Sequence, residues 1–243
     1  MISVAVVGAG GYVGSALCEA LHVMNSHSSP EENKIVRVVP VTRDSCKALS
    51  REKYDVIINC ATGSKRFWAN QNPEQDFIET VDKTDNLISK WDYKKFIQIS
   101  SVSARCELDS VYGKHKLLAE KLCQSKENCL IVRLTATYGP TLSKGVLIDI
   151  LKGKVYVSGE SRYAFSPLSF VTGWIAGHLD KTGLVEIGAR NTISLQEVAD
   201  RLNLKVEFGS RIENQEIQNP EESFPDAAGV LSFMYNMKQS RGA

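Results

Sequence analysis

No CxxC pair occurs in this sequence, and its four histidines show no metal-ligand spacing. The six cysteines, at 18, 46, 60, 106, 123 and 129, therefore point to neither a disulfide framework nor a zinc site. Buried, reduced thiols in a cytosolic protein, with no metal, are the expectation. Charge of one sign is lacking as well. The 29 basic and 28 acidic side chains leave a formal net charge of +1, which favours neither nucleic acid nor an anionic membrane surface as partner. The stretch Met1 to Cys18 carries no charge, but it has no cationic start. It also holds Gly8, Gly10, Gly11 and Gly14, which suit neither a signal peptide nor a membrane helix. No internal repeat or low-complexity tract interrupts the chain, and cytoplasm is the expected location.

What is present is an ordinary globular composition, 43% hydrophobic and 23% charged over 243 residues, enough for one large domain or a main domain with a small cap. Short β-branched runs alternate with helical stretches. Strands are expected at Ser3 to Val7, Ile35 to Val41, Val56 to Cys60, Phe96 to Ile99 and Leu130 to Leu134. Helices are expected at Val13 to Val23, Lys47 to Glu52, Phe77 to Lys90 and Tyr112 to Cys123, and Asn25 to Asn33 reads as a loop. This order is that of an α/β protein, a parallel sheet with helices on both faces. Beyond Gly139-Pro140 the regularity weakens. Val185 to Ile187 and Val206 to Phe208 read as strands and Leu195 to Leu202 as a helix capped by Ser194, while the polar run Glu213 to Pro225 reads as a surface loop.

Between the first strand and the first helix lies Gly8-Ala9-Gly10-Gly11-Tyr12-Val13-Gly14. Glycines there permit a tight turn and a close backbone approach to a pyrophosphate, and the helix N-terminus offers amide donors. The spacing is GxxGxxG, at 8, 11 and 14. Gly8, Gly10, Gly11, Tyr12, Val13 and Gly14 are accordingly candidate cofactor-binding residues. The second strand ends in Val41-Thr42-Arg43-Asp44. Arg43, with Thr42 as a second donor, favours the 2′-phosphate of NADP(H) over NAD(H), whereas Asp44 in its place would hold an NAD ribose.

The strand Phe96 to Ile99 ends in Ser100-Ser101, at the carboxyl edge where such sheets bind ligands, and the next helix opens with Tyr112 and Lys116 on one face. A neighbouring ammonium and a positive nicotinamide stabilise phenolate and lower a tyrosine pKa toward the working range. Lys116 would supply that charge, Ser101 would hold the substrate oxygen, and Tyr112 would give or take its proton.

These features together resemble the extended short-chain dehydrogenase/reductase family of nucleotide-sugar epimerases, dehydratases and 4-ketoreductases. The resemblance also rests on Asp55-Val56-Ile57-Ile58-Asn59-Cys60-Ala61, Thr84-Asp85-Asn86-Leu87, Val132-Arg133 through Tyr138-Gly139-Pro140, and Ile187-Gly188 to Ser194-Leu195. It implies a Rossmann-type doubly wound parallel sheet with a small C-terminal substrate cap. Residues 1–141 would form the dinucleotide-binding core, completed by 165–190, and 142–243 a reduced substrate-binding portion. It implies cofactor contacts from Cys60, Ala61, Thr62, Tyr112, Lys116 and Thr137, and substrate contacts from Ser103 and Arg162. A nucleotide sugar is the implied small-molecule partner and a homodimer an implied assembly.

The sequence departs from the family pattern at Thr80, at Leu134, at Ser169-Phe170, in the ten residues between Ser101 and Tyr112, and in lacking a third strand between Arg43 and Val56. Arg133 is expected in a structural ion pair, His115 on the solvent side of its helix, and Trp68, Trp91 and Trp174 in packing roles. Lys65, Arg66 and Trp68 would border the substrate. The residues after Ser101 are Val102 and Ser103, not the acidic pair that dehydratases of the family carry. The leading expectation is an NADPH-dependent reductase of a keto group on a nucleotide-linked sugar; the alternatives are an NAD-dependent epimerase and a non-catalytic NADP-binding regulatory protein.

Overall fold

The computed structural model describes residues 1–27 and 36–241, which divide into two compact units, 1–133 with 172–185 and 134–171 with 186–243. The first unit thus ends at Arg133, short of residue 141, and its returning segment is shorter than 165–190.

In the first unit, Val4 to Val7 form an unbroken apolar run with none more than 4% exposed. Such a run suits a strand covered on both faces and paired on both edges. It lies in β1 (Ile2–Val7), flanked in parallel by β2 (Val36–Val41) and β3 (Lys53–Asn59), with Val4 opposite both Val38 and Val56. β4 (Asp92–Ser101) and β5 (Cys129–Leu134) continue the sheet, and the strand Gly183–Ile187 closes it. The spatial order is Gly183–Ile187, β5, β4, β3, β1, β2, a six-stranded parallel Rossmann-like sheet with flanking helices. No strand forms between β2 and β3. The chain passes through the short helix α2 (Cys46–Leu49) directly into β3, so the sheet stops at β2.

Helix α1 (Tyr12–His27) runs past the expected end at Val23 and includes Asn25, read from the sequence as loop. The Asn25 side chain brackets the start of β2, donating to the Val36 carbonyl at 2.7 Å and accepting from its amide at 2.8 Å. The rest of that expected loop, and Ile35, lie outside the described residues. After β3 come α3 (Arg66–Gln71) and α4 (Pro73–Phe77), the latter opened by Pro73, whose missing N–H and fixed φ suit a first helical turn. A π-helical turn, Ile78–Asp82, leads into α5 (Lys83–Lys90). The single helix expected from Phe77 to Lys90 therefore starts earlier and carries one widened turn. Between β4 and β5 lie α6 (Ser103–Cys106) and α7 (Val111–Gln124). Ser110 caps α7, its hydroxyl accepting from the Gly113 amide at 2.9 Å. One core cluster joins Ala5, Val7, Ile57, Phe96 and Ile131 from the strands to Leu87 and Ile88 of α5 and Cys123 of α7.

A separate core fills the second unit, including Tyr163 stacked on Phe165 at 5.1 Å. The run Glu213 to Pro225 is not a surface loop throughout. Asn214–Gln215 pairs in parallel with Arg162–Tyr163, and Gln215, Ile217 and Phe224 are buried. The helix Gly229–Arg241, not apparent from sequence, buries Val230 and Met234 one turn apart. Among the described residues no helix is long and apolar enough to cross a membrane. The six cysteines are free; Cys18, Cys123 and Cys129 are buried, but Cys106 is exposed, contrary to the expectation of buried thiols.

Candidate active site

The glycine turn is held by backbone bonds to both neighbouring strand ends. Gly8 and Ala9 amides donate to the Val41 carbonyl at 2.9 and 3.1 Å, and the Cys60 amide donates to Val7 at 2.9 Å. Gly8 has φ +87°, and a Cβ there would stand 2.9 Å from the Ala61 nitrogen. A Cβ on Gly14 would stand 2.2 Å from the Gly8 carbonyl oxygen, so the first turn of α1 can sit against the loop only without a side chain. Asn59, wholly buried, steadies the β3 end by accepting from the Ala61 amide and donating to Thr84 and Gln98.

Beside this turn lies a cavity of about 1150 Å³. Of the expected cofactor residues, Gly8, Gly10, Gly11, Thr42, Arg43, Ala61 and Thr62 line it. Tyr12, Val13 and Gly14 form the helix start behind the turn, and Cys60 precedes the loop, outside the lining. Thr137 belongs to the second unit, in the short strand Thr137–Tyr138. Asp44, Lys65, Glu79, Asp82, Lys83 and Asn86 also border the cavity. The π-helical turn delivers Glu79 and Asp82 to it, which sequence periodicity for a regular α-helix did not show. Lys83 is ion-paired with Glu79, and the Arg43 charge also helps hold the Glu79 carboxyl below its usual range. Trp68 and Trp91 border the cavity too, and Trp91 is the packing residue expected, buried in the core cluster and stacked on Tyr54 at 5.9 Å.

Ser101, Tyr112 and Lys116 come together in the same unit. Lys116 Nζ lies 5.3 Å from the Tyr112 ring centroid, and the Ser101 hydroxyl is near enough to the phenol to favour its ionised form. Lys116 donates to Thr62 Oγ1 at 2.5 Å, tying α7 to the loop after β3. Ser103 is wholly buried, and its hydroxyl accepts from Ser101 at 3.1 Å. Burial pushes the Tyr112 phenol up to about 12, with the Arg66 charge and the Ser101 hydroxyl pulling the other way. The direction is opposite to the one expected from sequence, because loss of hydration outweighs the cations around the ring. Burial likewise brings the Lys116 ammonium down to about 8, opposed by the charges of Asp76 and Glu120.

Sequence reasoning missed two ion pairs beside this cluster. Arg66 of α3 contacts the buried Glu107 at 3.0 Å. His115 is not on the solvent side of α7: its side chain is 13% exposed, and Nδ1 lies 2.8 Å from Asp76 Oδ2. Nothing in the local spacing signals it, because Asp76 arrives from another helix. Arg133 is in the expected structural pair, bidentate on Glu120 at 2.9 and 2.7 Å. Arg162 is exposed in the second unit, and its guanidinium donates to the Thr192 hydroxyl and carbonyl.

A strand, glycine turn and helix beside a cavity, with Ser101 at the end of β4 and Tyr112 and Lys116 on α7 outside that lining, are the parts of a nicotinamide dinucleotide enzyme of the α/β class. Residues 4–155 match the NAD dependent epimerase/dehydratase family, and the chain belongs to it. It is an NAD(P)-dependent enzyme of the extended short-chain dehydrogenase/reductase type. No curated protein matches the chain by sequence. Among solved structures it is similar to a dTDP-4-dehydrorhamnose reductase from Clostridium acetobutylicum, at 15% identity and TM-score 0.76 over 98% of this chain and 100% of that one. It is similar to RMD from Pseudomonas aeruginosa complexed with NADPH, at 16% and 0.73 over 99% and 100%. It is also similar to a UDP-N-acetylglucosamine 4-epimerase from Methanobrevibacter ruminantium, at 16% and 0.71 over 98% and 97%.

Proposed function

We propose that the protein is an NADPH-dependent reductase of a keto group on a nucleotide-linked sugar. The observation that carries this reading is the cluster of Ser101, Tyr112 and Lys116, tied through Thr62 to a cavity that also holds Arg43. The glycine cradle fits a dinucleotide: Gly8, Gly10 and Gly11 would face the pyrophosphate, and Thr42 and Arg43 the adenosine ribose with its 2′-phosphate. When bound, NADPH supplies the hydride. Ser101 holds the keto oxygen, and Tyr112 delivers its proton to that oxygen, so the carbonyl becomes an alcohol. A phenol lifted to about 12 stands protonated at neutral pH, the form that reduction consumes. Lys116 is placed to receive the cofactor's ribose and to stabilise the phenolate left behind.

Elimination finds no free proton carrier after Ser101. Val102 and Ser103 follow it, and the nearby Glu107 is buried in its pair with Arg66. Solved neighbours include RMD complexed with NADPH and a dTDP-4-dehydrorhamnose reductase complexed with NADP, which support the reading. The second reading, an NAD-dependent epimerase, is favoured by Asp44 and Glu79 in the same lining.

The assay mixes purified protein with NADPH and a panel of nucleotide-linked 4-keto-6-deoxysugars and follows absorbance of the reduced cofactor. Stoichiometric NADPH consumption is expected; isomerisation without net oxidation would establish the epimerase instead. Cofactor choice has its own test. Arg43→Ala should weaken NADPH about 10- to 100-fold and spare NADH, the scale of one charge-assisted contact. Equal loss for both cofactors, by fluorescence titration, would reduce Arg43 to a loop-shaping residue.

A further inference from the structure

Asp76 is wholly buried on α4, an unusual place for a carboxylate. Its Oδ2 is fixed by His115 at 2.8 Å, but Oδ1 has no hydrogen-bond partner. That free oxygen faces Gly63, where a Cβ would stand only 2.6 Å away. Gly63 directly follows Thr62, whose hydroxyl receives the Lys116 ammonium, and His115 directly precedes Lys116. Carboxylate and ammonium therefore bear on the same two-residue stretch of loop, without a direct ion pair between them.

Lys116 itself is 4% exposed, and its hydrogen bond goes to a neutral hydroxyl. A buried ammonium needs a counter-charge. Three other titratable groups face it. Glu120, on α7 itself, is engaged by Arg133 and by the Ser100 hydroxyl. Cys60, at the end of β3, is a thiol that burial keeps neutral at ordinary pH, and Tyr112 is a phenol in the same condition. Around Tyr112, Arg66 and Glu107 pair with each other.

We propose that Asp76 is the counter-charge of Lys116, a positioning residue whose carboxylate, oriented by His115, holds the buried ammonium in its charged form. The catalytic use of Lys116 is the reading given under the proposed function; the pairing does not depend on it. The influence of Asp76 on Lys116 has the required sign, favouring the ammonium. Because the partner comes from α4, the charge state of Lys116 would depend on how that helix is seated against α7.

The test is a pH titration of full-length protein labelled with [13Cε]lysine, the Lys116 signal being assigned by its loss in Lys116→Met. In Asp76→Asn, which keeps size and shape, the Lys116 midpoint should fall by about one unit or more. An unmoved midpoint in the folded variant overturns the proposal, since a merely structural Asp76 would not alter it. Should Asp76→Asn fail to fold, Asp76→Ser serves with the same readout: the Lys116 midpoint should fall by a similar amount, and no fall there also overturns the proposal. A protein inactive on every keto sugar would strike the reductase reading while leaving the Lys116 midpoints where the proposal puts them. An active protein with an unmoved midpoint would strike the proposal alone.

Discussion

Replacing Tyr112 with phenylalanine is expected to lower turnover about 100-fold or more while leaving NADPH affinity nearly unchanged. The ring is buried, 7% exposed, and a phenylalanine ring keeps that packing and the 5.3 Å approach of Lys116. Only the phenol oxygen leaves. With it goes the phenol proton, the one that the proposed reduction delivers to the keto oxygen. The cofactor cavity is lined by other residues, Gly8, Thr42, Arg43 and Thr62 among them, so binding of the dinucleotide should survive. Steady-state rates with a reducible sugar, set beside a fluorescence titration with NADPH, separate the two quantities. Near-normal turnover would remove Tyr112 from the proton transfer, and a parallel loss of affinity would make it a packing residue of the cofactor site.

The largest expected effect on stability belongs to Arg133→Met. Glu120 is fully buried, and its carboxylate takes two bonds from Arg133 and one from the Ser100 hydroxyl at 2.5 Å. This pair locks α7, and with it Tyr112 and Lys116, to β4 and β5. Removing the arginine leaves a buried charge with one neutral donor, a change that costs about 3 to 5 kcal/mol. Urea unfolding followed by tryptophan fluorescence should show a correspondingly lower midpoint with little change in slope. The double change Arg133→Met with Glu120→Leu should recover most of the loss, since exchanging a whole buried pair for apolar side chains is often neutral. A single variant as stable as the parent would show that the pair contributes nothing to holding α7.

The legible parts of the fold were those governed by local pattern. β1 announces itself as Val4-Ala5-Val6-Val7, and the turn that follows cannot be anything but tight with glycine at 8, 11 and 14. The absent third strand could be read from the short distance between Arg43 and Val56, and the sheet indeed ends at β2. Two local readings failed because the competing signal was not local. Asn25 is helical with its side chain closed on Val36, and the polar run around Asn214 pairs with Arg162 and Tyr163, contacts that lie outside each segment's own pattern.

By itself the sequence determined the alternation of strands and helices, the glycine turn, and the placing of Ser101 at a strand end and Tyr112 with Lys116 on one helical face. These follow from periodicities of two and 3.6 residues and from the sterics of a missing Cβ, all of which act within a few neighbours along the chain. The tertiary structure alone decided which charges meet. His115 faces Asp76 across two helices, Arg66 reaches Glu107, Lys116 reaches Thr62, and the π-helical turn swings Glu79 and Asp82 to the cavity. A charge in water has many equivalent partners; burial strips away that water and makes the choice of partner a matter of position in space, which spacing along the chain does not encode.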